Sequence, residues 1–403
     1  MTAPTIADIV DNGLCTGCGG CVASIGREDF RMEMGEAGYL RPTRVALEAG
    51  ERAVLAQVCP GRALDGKADE AGYHPLWGPI RTLATGHARD PQVRHRGSSG
   101  GVLTAIAIGL VESGEVDFVL TNAASEEDPI SNATGAKSDR GGLLAAAGSR
   151  YAPSSPLAGI EAHLAAGKRF AFIGKPCDVA GLSRMAQRDP RIDALVPYRL
   201  AFFCAGVPSR NGTLAVLDKL GVAQGDCVRF QYRGDGWPGL ARARRRDGSE
   251  ASMDYNSSWG TILNRHLQFR CKICPDGTGE FADLVCADAW YGADGYPDFT
   301  ERDGRSLIIA RTEAGQKLFD RAMAEGWIAS EPLDVAEIAK MQPYQVTRKT
   351  NVMARVWALF AARGRRPRFR GLALPRLALG AGKIEQLRSA YGTFRRSRGK
   401  SLA

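Results

Sequence analysis

The alternation that decides the fold starts in residues 99–121, which read SGGVLTAIAIGLVESGEVDFVLT. This stretch predicts a helix from Ser99 to Ser113 followed by a strand at 116–121. The rhythm continues, with further strands predicted at 170–173 and 198–203, and helices at 154–166, 178–188 and 211–220. Strands that alternate with helices in this way indicate an α/β core.

Two differently composed segments flank this core. Residues 1–80 carry clustered cysteines and glycines, which predict a small, loop-rich, metal-organised unit. Later residues are more strand-rich, with strands at 228–232, 283–285 and 306–310, a hairpin at Asp247-Gly248 and a helix from Glu313 to Glu325 capped by Thr312. We predict an α/β protein, α+β overall, divided into residues 1–80, a core at 81–223, a C-terminal portion at 224–345 and a tail at 346–403.

Composition favours a folded protein of a reducing compartment. The 403 residues are 44% hydrophobic, so the chain can bury substantial cores. The N-terminus has no basic start followed by an apolar run, and the longest apolar stretch, 102–111, falls short of the roughly 18 residues that span a membrane. We expect a cytoplasmic protein, in which the ten cysteines are metal ligands or redox groups rather than disulfides.

Charge is concentrated in the tail. Residues 345–403 hold 15 Lys and Arg against the single acid Glu385, which leaves the preceding chain net negative. Apolar residues alternate with these arginines: Trp357, Leu359, Phe360, Phe369, Leu372, Leu374, Leu377 and Leu379. Two roles are open for the tail. It is either a surface that binds an acidic partner or an anionic membrane, rather than nucleic acid, or a solvated terminal extension.

The first cysteine group has ferredoxin-type spacing. Cys15, Cys18 and Cys21 are separated by two residues each, so three thiolates can converge on one cubane cluster. In such runs a fourth thiolate is followed by proline, and Cys59-Pro60 supplies that pair. We assign these four cysteines to one [4Fe–4S] cluster in a ferredoxin-like N-terminal segment. Zinc is the alternative, although zinc sites usually pair two Cys-x-x-Cys units.

A second group offers ligands that are scattered along the chain. Cys271 and Cys274 again precede a proline, and Cys177 and Cys204 each follow a predicted strand. Together they provide four thiolates for a second [4Fe–4S] cluster. Cys286 and Cys227 are also available, and a lone cysteine is often only a small core residue, so the third and fourth ligands stay open.

Eight motifs in order resemble the coenzyme F420 hydrogenase/dehydrogenase beta-subunit family. They are CTGCGGC at 15–21, GSSGGVLT at 97–104, GSRY at 148–151, GKPC at 174–177, FC at 203–204, CKIC at 271–274, ADLV at 282–285 and RSLIIART at 305–312. That family also includes 7-hydroxymethyl chlorophyll a reductase and the ferredoxin-dependent divinyl chlorophyllide vinyl reductases. The match extends from Cys15 to about Phe319, and the basic tail lies outside it.

The resemblance implies bound FAD, fed with electrons by iron–sulfur clusters, in the core at 81–223. The glycine-rich turn opens the predicted helix, where free amides and the positive end of the helix dipole suit the FAD pyrophosphate. The flavin-binding residues implied in this way are Ser98, Ser99, Gly100, Gly101, Thr104, Ser149, Arg150, Tyr151 and Lys175. A turn is the alternative interpretation of 149–151, and a solvated loop lysine is the alternative for Lys175.

Other candidate residues carry less information. The string Gly234 to Gly239 fits G-x-G-x-x-G, but Pro238 and the strand-like residues after it do not open a helix, so it is not a dinucleotide fingerprint. No catalytic acid can be assigned. The residues Asp288, Tyr255, His266 and Asp235 merely adjoin the family motifs.

Three functional hypotheses follow. The first is an oxidoreductase in which a ferredoxin-like donor feeds two [4Fe–4S] clusters and FAD, which reduces an unsaturated small molecule or a deazaflavin coenzyme. The second is an electron-transfer subunit that docks on a separate catalytic partner and has no substrate of its own. The third is a zinc-stabilised binding protein that uses its tail on nucleic acid. An oligomer is compatible with all three.

Overall fold

The computed structural model describes residues 3–293, 296–398 and 402. The strands are β1 (Met32–Met34), β2 (Leu40–Pro42), β3 (Ala63–Asp65), β4 (Tyr73–His74), β5 (Gly78–Pro79), β6 (Thr82–Ala88), β7 (Phe118–Ala124), β8 (Asn132–Lys137), β9 (Phe170–Gly174), β10 (Tyr198–Phe202), β11 (Cys227–Gln231), β12 (Ala241–Arg245), β13 (Glu250–Met253), β14 (Leu284–Asp288), β15 (Gly292–Ala293), β16 (Tyr296–Pro297), β17 (Ser306–Ala310), β18 (Ile328–Pro332) and β19 (Arg368–Arg370).

Seventeen α-helices lie within the described residues. They are α1 (Ile6–Val10), α2 (Gly20–Ile25), α3 (Ala49–Val58), α4 (Pro91–Arg96), α5 (Val102–Glu112), α6 (Arg140–Ala145), α7 (Ile160–Ala165), α8 (Pro176–Ala186), α9 (Arg191–Leu195), α10 (Arg210–Lys219), α11 (Phe269–Lys272), α12 (Glu313–Ala324), α13 (Glu337–Met341), α14 (Pro343–Thr350), α15 (Val352–Arg363), α16 (Leu374–Gly380) and α17 (Lys383–Ser397). No helix of residues 3–293 and 296–398 is long and apolar enough to cross a bilayer.

A mixed eight-stranded sheet forms the centre of the molecule and confirms the predicted α/β class. Its strand order is β18-β6-β17-β14-β10-β9-β7-β8. The strands β7, β9, β10 and β14 run parallel to one another, and the outer strands pair antiparallel. Both β9 and β17 are buried along their whole length, as expected for strands covered on both faces.

Helices cover the two faces of this sheet because successive strand residues point to opposite sides. On one face, α5 and α12 pack on Leu284 and Ile308. On the other face, α7, α8 and α9 pack on Phe172 and Val285. The helix predicted at 99–113 is α5, and Thr312 caps α12 by accepting a hydrogen bond from the Gly315 N–H at 3.1 Å.

The portion after residue 223 first leaves the main sheet and then returns to it. Strands β11, β12 and β13 form a separate three-stranded antiparallel sheet, with the predicted hairpin between β12 and β13. Strands β14, β17 and β18 then complete the main sheet. Segment 224–345 therefore shares its largest sheet with segment 81–223.

The basic tail is folded against the N-terminal segment. Val352, Val356 and Leu359 of α15 share one core with Ile6 and Leu55. Strand β19 pairs parallel with β3, with Arg368 opposite Ala63. The tail is thus part of the fold and not a solvated extension.

Candidate functional site

The first four cysteines surround one small cavity. Cys15, Cys18, Cys21 and Cys59 all line it, with Ile6, Leu55 and Pro60 among its other walls. Cys59 is brought there as the C-cap of α3, and Cys21 by the start of α2. The turn between the thiols requires glycine at position 19, because its φ is +83° and a Cβ would lie 2.7 Å from Ala158.

Burial disfavours thiolate charge in this group unless a cation offsets it. Burial raises the pKa of Cys18 to about 12. Burial, then the charges of the other three thiols, raises the pKa of Cys21 well above its usual range. Metal binding requires deprotonated thiols, and the metal's positive charge then stabilises them.

Cys177, Cys204, Cys271 and Cys274 also lie together. Cys177 is in the first turn of α8, Cys204 follows β10, and the other two lie in or just after α11. Burial and the neighbouring charge of Cys271 raise the pKa of Cys204 to about 12. Burial raises the pKa of Cys177 as well, with contributions from Cys204 and Cys271. The structure therefore brings the four predicted ligands of the second set to one place.

The two remaining cysteines lie elsewhere. Cys227 packs in the core of the three-stranded sheet, and its thiol donates to the Arg229 carbonyl at 3.4 Å. Cys286 lies in β14, within the core beneath α5 and in the wall of the large cavity described below. Burial alone raises the pKa of Cys286. Among the described residues, no group of three or more His, Cys, Asp or Glu side chains is arranged to hold a single metal ion.

The two cysteine sets are neighbours. Helix α8 carries Cys177 at its start, and a Cβ placed on Gly181, one turn later, would lie 3.5 Å from the Sγ of Cys18. The Gln268 amide lies 3.3 Å from the Thr16 carbonyl and 3.5 Å from the Cys271 Sγ, so it spans the gap. One helical turn and one glutamine side chain thus separate the sets.

A cavity of about 250 Å³ opens beside the second set. It lies at the carboxyl ends of parallel strands β7, β9, β10 and β14, which is where α/β sheets usually bind ligands. Cys204 lines this cavity and belongs to the second cysteine set. A group bound in the cavity would therefore contact the cysteine site directly.

Eight of the nine predicted flavin-binding residues line this cavity: Ser98, Ser99, Gly101, Thr104, Ser149, Arg150, Tyr151 and Lys175. The ninth, Gly100, turns toward the sheet, where its N–H donates to the Ser306 Oγ at 2.9 Å. Glycine is required there, because a Cβ would lie 2.6 Å from the Gly86 carbonyl oxygen. The first amides of α5 have no partner within the helix and lie at the cavity wall.

Ser306 holds the glycine turn in place, which gives a first prediction. Its Oγ also lies 3.0 Å from the Ser99 Oγ, and the residue is fully buried. In a Ser306→Ala variant the Gly100 N–H loses its acceptor, so we expect a loss of about 1–3 kcal/mol of stability. Thermal unfolding measures this loss. The exposed Ser113→Ala variant should melt like wild type, and equal melting of both variants would contradict the assignment.

Arg150 and Lys175 are held in different ways. The Arg150 guanidinium donates to the Asn132 side chain at 2.9 Å and to three backbone carbonyls, so most of its donors are already used. The Lys175 ammonium lies 2.7 Å from both the Ser154 Oγ and the Asp178 carboxylate. Burial alone would lower the pKa of Lys175, but the Asp178 charge raises it above its usual value. Lys175 is therefore a buried cation in the cavity wall.

Arg233 and Trp290, which the sequence analysis did not single out, also line the cavity. Buried Arg233 forms a two-point ion pair with Asp288, at 2.8 and 3.0 Å. Its guanidinium lies 4.7 Å from the Tyr255 ring centre and 5.2 Å from that of Trp290. Arg233 follows the strand predicted at 228–232, and its position directly before a glycine-rich loop was the one available signal.

The structure divides the four residues that adjoin family motifs into two groups. Asp288 and Tyr255 line the cavity, whereas His266 and Asp235 do not. Asp235 is paired with Arg96 at 2.7 Å. The string from Gly234 to Gly239 forms a loop and opens no helix, as its proline predicts.

Known proteins provide the comparison for this arrangement. Residues 83–160 match the N-terminal part, and residues 167–336 the C-terminal part, of the family described as coenzyme F420 hydrogenase/dehydrogenase, beta subunit. The coenzyme F420 hydrogenase subunit beta of Methanosarcina barkeri is 24% identical over 268 residues, 64% of this chain and 84% of that protein. An F(420)H(2) dehydrogenase subunit of Methanosarcina mazei is 23% identical over 349 residues, 82% of this chain and 88% of that protein.

A solved structure shares the fold. One chain of the F420-reducing [NiFe] hydrogenase complex from Methanosarcina barkeri superimposes with a TM-score of 0.55 at 19% identity, covering 73% of this chain and 98% of that chain. The two family matches together span more than half of the sequence. The chain therefore belongs to the coenzyme F420 hydrogenase/dehydrogenase beta-subunit family, as the eight motifs along its sequence predict.

Proposed function

We propose that the chain is an iron–sulfur flavoprotein oxidoreductase, in which electrons pass from a ferredoxin-like donor by way of two [4Fe–4S] clusters and FAD to an unsaturated small molecule or a deazaflavin coenzyme. The observation that carries this proposal is the position of Cys204, which belongs to the second cysteine set and to the wall of the cavity. When bound, the clusters carry single electrons, and FAD couples them to two-electron chemistry.

The cysteine sets supply the cluster ligands in this proposal. Cys15, Cys18, Cys21 and Cys59 would hold one cluster, and Cys177, Cys204, Cys271 and Cys274 the other. The Arg348 guanidinium donates to the Cys204 carbonyl at 2.7 Å, and its charge lies near the thiols of the second set. Arg348 would thus offset negative charge there. Because tunnelling weakens steeply with distance, the short gap across α8 favours transfer between the sets.

The cavity residues would hold and orient the flavin. The first-turn amides and dipole of α5 suit a pyrophosphate, and the hydroxyls of Ser98, Ser99, Thr104 and Ser149 lie beside them. Lys175 would stabilise negative charge on a reduced ring. Arg150 would act mainly by holding the loop that carries Ser149 and Tyr151. The wall of Tyr255 and Trp290 leaves an apolar surface for a planar substrate.

Cofactor analysis tests the proposal. Protein purified without oxygen should contain about eight irons, about eight sulfides and one FAD per chain, with the visible spectrum of both. About four irons would remove the second cluster from the proposal. Stoichiometric zinc without flavin would contradict the whole assignment and favour a zinc-stabilised binding protein.

A second candidate function is suggested by the names of the relatives, two of which are subunits. In this alternative the chain transfers electrons to a separate catalytic partner and has no substrate of its own. The purified chain, reduced by a ferredoxin, distinguishes the two. Reduction of a small acceptor such as a deazaflavin by the chain alone supports the enzyme, whereas reduction only after a partner is added supports the electron-transfer role.

A further inference from the structure

Helix α17 has its polar residues on the inside. It packs along α15, and Thr393 and Ser397 are fully buried in this contact. Ser389, one turn earlier, accepts a hydrogen bond from the Arg355 Nε at 2.7 Å. A helix on the surface of a soluble protein normally turns its apolar stripe inward. The inner face of α17 is instead polar, so its apolar residues must point elsewhere.

The large apolar residues near the turn between α16 and α17 are exposed. Ile384 and Leu387 are each 69% exposed and Tyr391 is 66% exposed, and their spacing places them on one face of α17. Leu379, at the end of α16, is 89% exposed. The Gln386 side chain bonds the Ala378 carbonyl and so ties the two helices together at their turn. Four large, exposed apolar side chains therefore lie on α16 and α17, and we call this part of the chain the α16–α17 tip.

Exposed cations lie along α16 and α17. Arg376, Lys383, Arg388 and Arg395 are all exposed. Within residues 3–293, 296–398 and 402, no carboxylate lies within ion-pair distance of these four groups. The only acid of the tail, Glu385, accepts a hydrogen bond from the Asn351 side chain at 2.9 Å. The tip therefore combines apolar prongs with a net positive surface.

We propose that the α16–α17 tip docks on an anionic lipid surface. A bilayer interface offers an apolar layer for the prongs, phosphates for the arginines and a favourable level for Tyr391. A second copy of the chain would bring the same unpaired cations together. Nucleic acid would leave the aliphatic prongs without a partner, since leucine and isoleucine do not stack on bases. An acidic protein would satisfy the charges but would need its own apolar groove for the aliphatic side chains, whereas a bilayer interface offers an apolar layer at any point. The attachment is peripheral and reversible.

Vesicle binding by the holoprotein tests this proposal without any need for turnover. We expect cosedimentation with phosphatidylcholine vesicles that contain about one third phosphatidylglycerol, little binding to pure phosphatidylcholine, and weaker binding at about 0.5 M salt. A Leu379→Ser/Ile384→Ser/Leu387→Ser variant should bind at least about tenfold more weakly. An Arg388→Gln/Arg395→Gln variant should bind about 30-fold more weakly, since each basic residue contributes about 1 kcal/mol at such a surface and about 1.4 kcal/mol is tenfold.

A matched control separates this tip from general stickiness. Val228→Ser/Leu240→Ser removes one exposed apolar side chain from β11 and one from the residue just before β12, and it should leave vesicle binding unchanged. Undiminished binding of the triple serine variant would show that charge alone is responsible and overturn the proposal. The proposal would also be overturned if the protein bound an acidic ferredoxin but not anionic vesicles, and if the same variants lost the binding to ferredoxin.

Discussion

A Cys274→Ser variant is expected to lose about half of the iron and sulfide of the wild-type protein, because one of two four-thiol sites is broken. Cys274 belongs to the set that includes Cys204, next to the large cavity. The other set lines its own small cavity and should keep its cluster. A Cys18→Ser variant should lose the other half. Iron and sulfide analysis measures the loss, and the electron paramagnetic resonance spectrum of each reduced variant should show a different residual signal.

Cys227→Ser is the matched control for both variants. Cys227 is also a buried free thiol, but it lies in the core of the three-stranded sheet. Its variant should retain all of the iron. Iron loss from the Cys227 variant, or a full complement in the Cys274 variant, would contradict the ligand assignment. Complete iron loss from each of the two ligand variants would show that the sets are not independent sites.

The two cysteine sets differ in how far the sequence can predict them. Spacing alone gathers Cys15, Cys18 and Cys21, because a two-residue interval brings neighbouring thiols to one side of a turn. The second set depends on topology. Strands β9 and β10 are parallel neighbours, so Cys177 and Cys204 emerge at the same edge of the sheet. Only the fold could then bring Cys271 and Cys274 to that edge and leave Cys286 within the sheet.

Local propensity also failed where tertiary contacts compete with a helix. The helix predicted at 154–166 is present only as α7, from Ile160. The Ser155 Oγ donates to the Gly17 carbonyl at 2.7 Å, and the Ser154 Oγ accepts from Lys175. These contacts hold the preceding residues in a turn beside both candidate sites. No pattern in the sequence indicates partners so far away along the chain.

The tail shows the opposite situation, in which the sequence pattern was informative but its meaning depended on the fold. Apolar residues interleaved with arginines allow either a buried face or an exposed one. The structure divides them, since Leu359 and Leu374 are buried whereas Leu379 is exposed. The exposed residues of α16 and α17 form the surface that we propose binds lipid. Composition alone could not show which of the apolar residues are exposed.

A Lys175→Met variant is expected to be less stable than wild type by about 3–5 kcal/mol, because it leaves the buried Asp178 carboxylate without its cation. Asp178 is fully buried, and its Oδ2 lies 2.7 Å from the Lys175 ammonium. Its other oxygen, Oδ1, has no hydrogen-bond partner among the described residues. The melting temperature should fall by about 5 °C or more. If FAD occupies the cavity, its reduction potential should also become more negative, since the charge that favours a reduced anionic ring is gone.

A double variant separates loss of charge balance from loss of packing. In Lys175→Met/Asp178→Asn no buried charge is left unpaired, so most of the lost stability should return, whereas the flavin potential should stay low because the cation is still missing. Lys168→Met, on the exposed turn before β9, should change neither property. Wild-type melting of Lys175→Met would mean that the ion pair does not stabilise the fold. A potential restored in the double variant would mean that Lys175 acts on the flavin only through the structure around Asp178, and the proposed direct electrostatic role would be wrong.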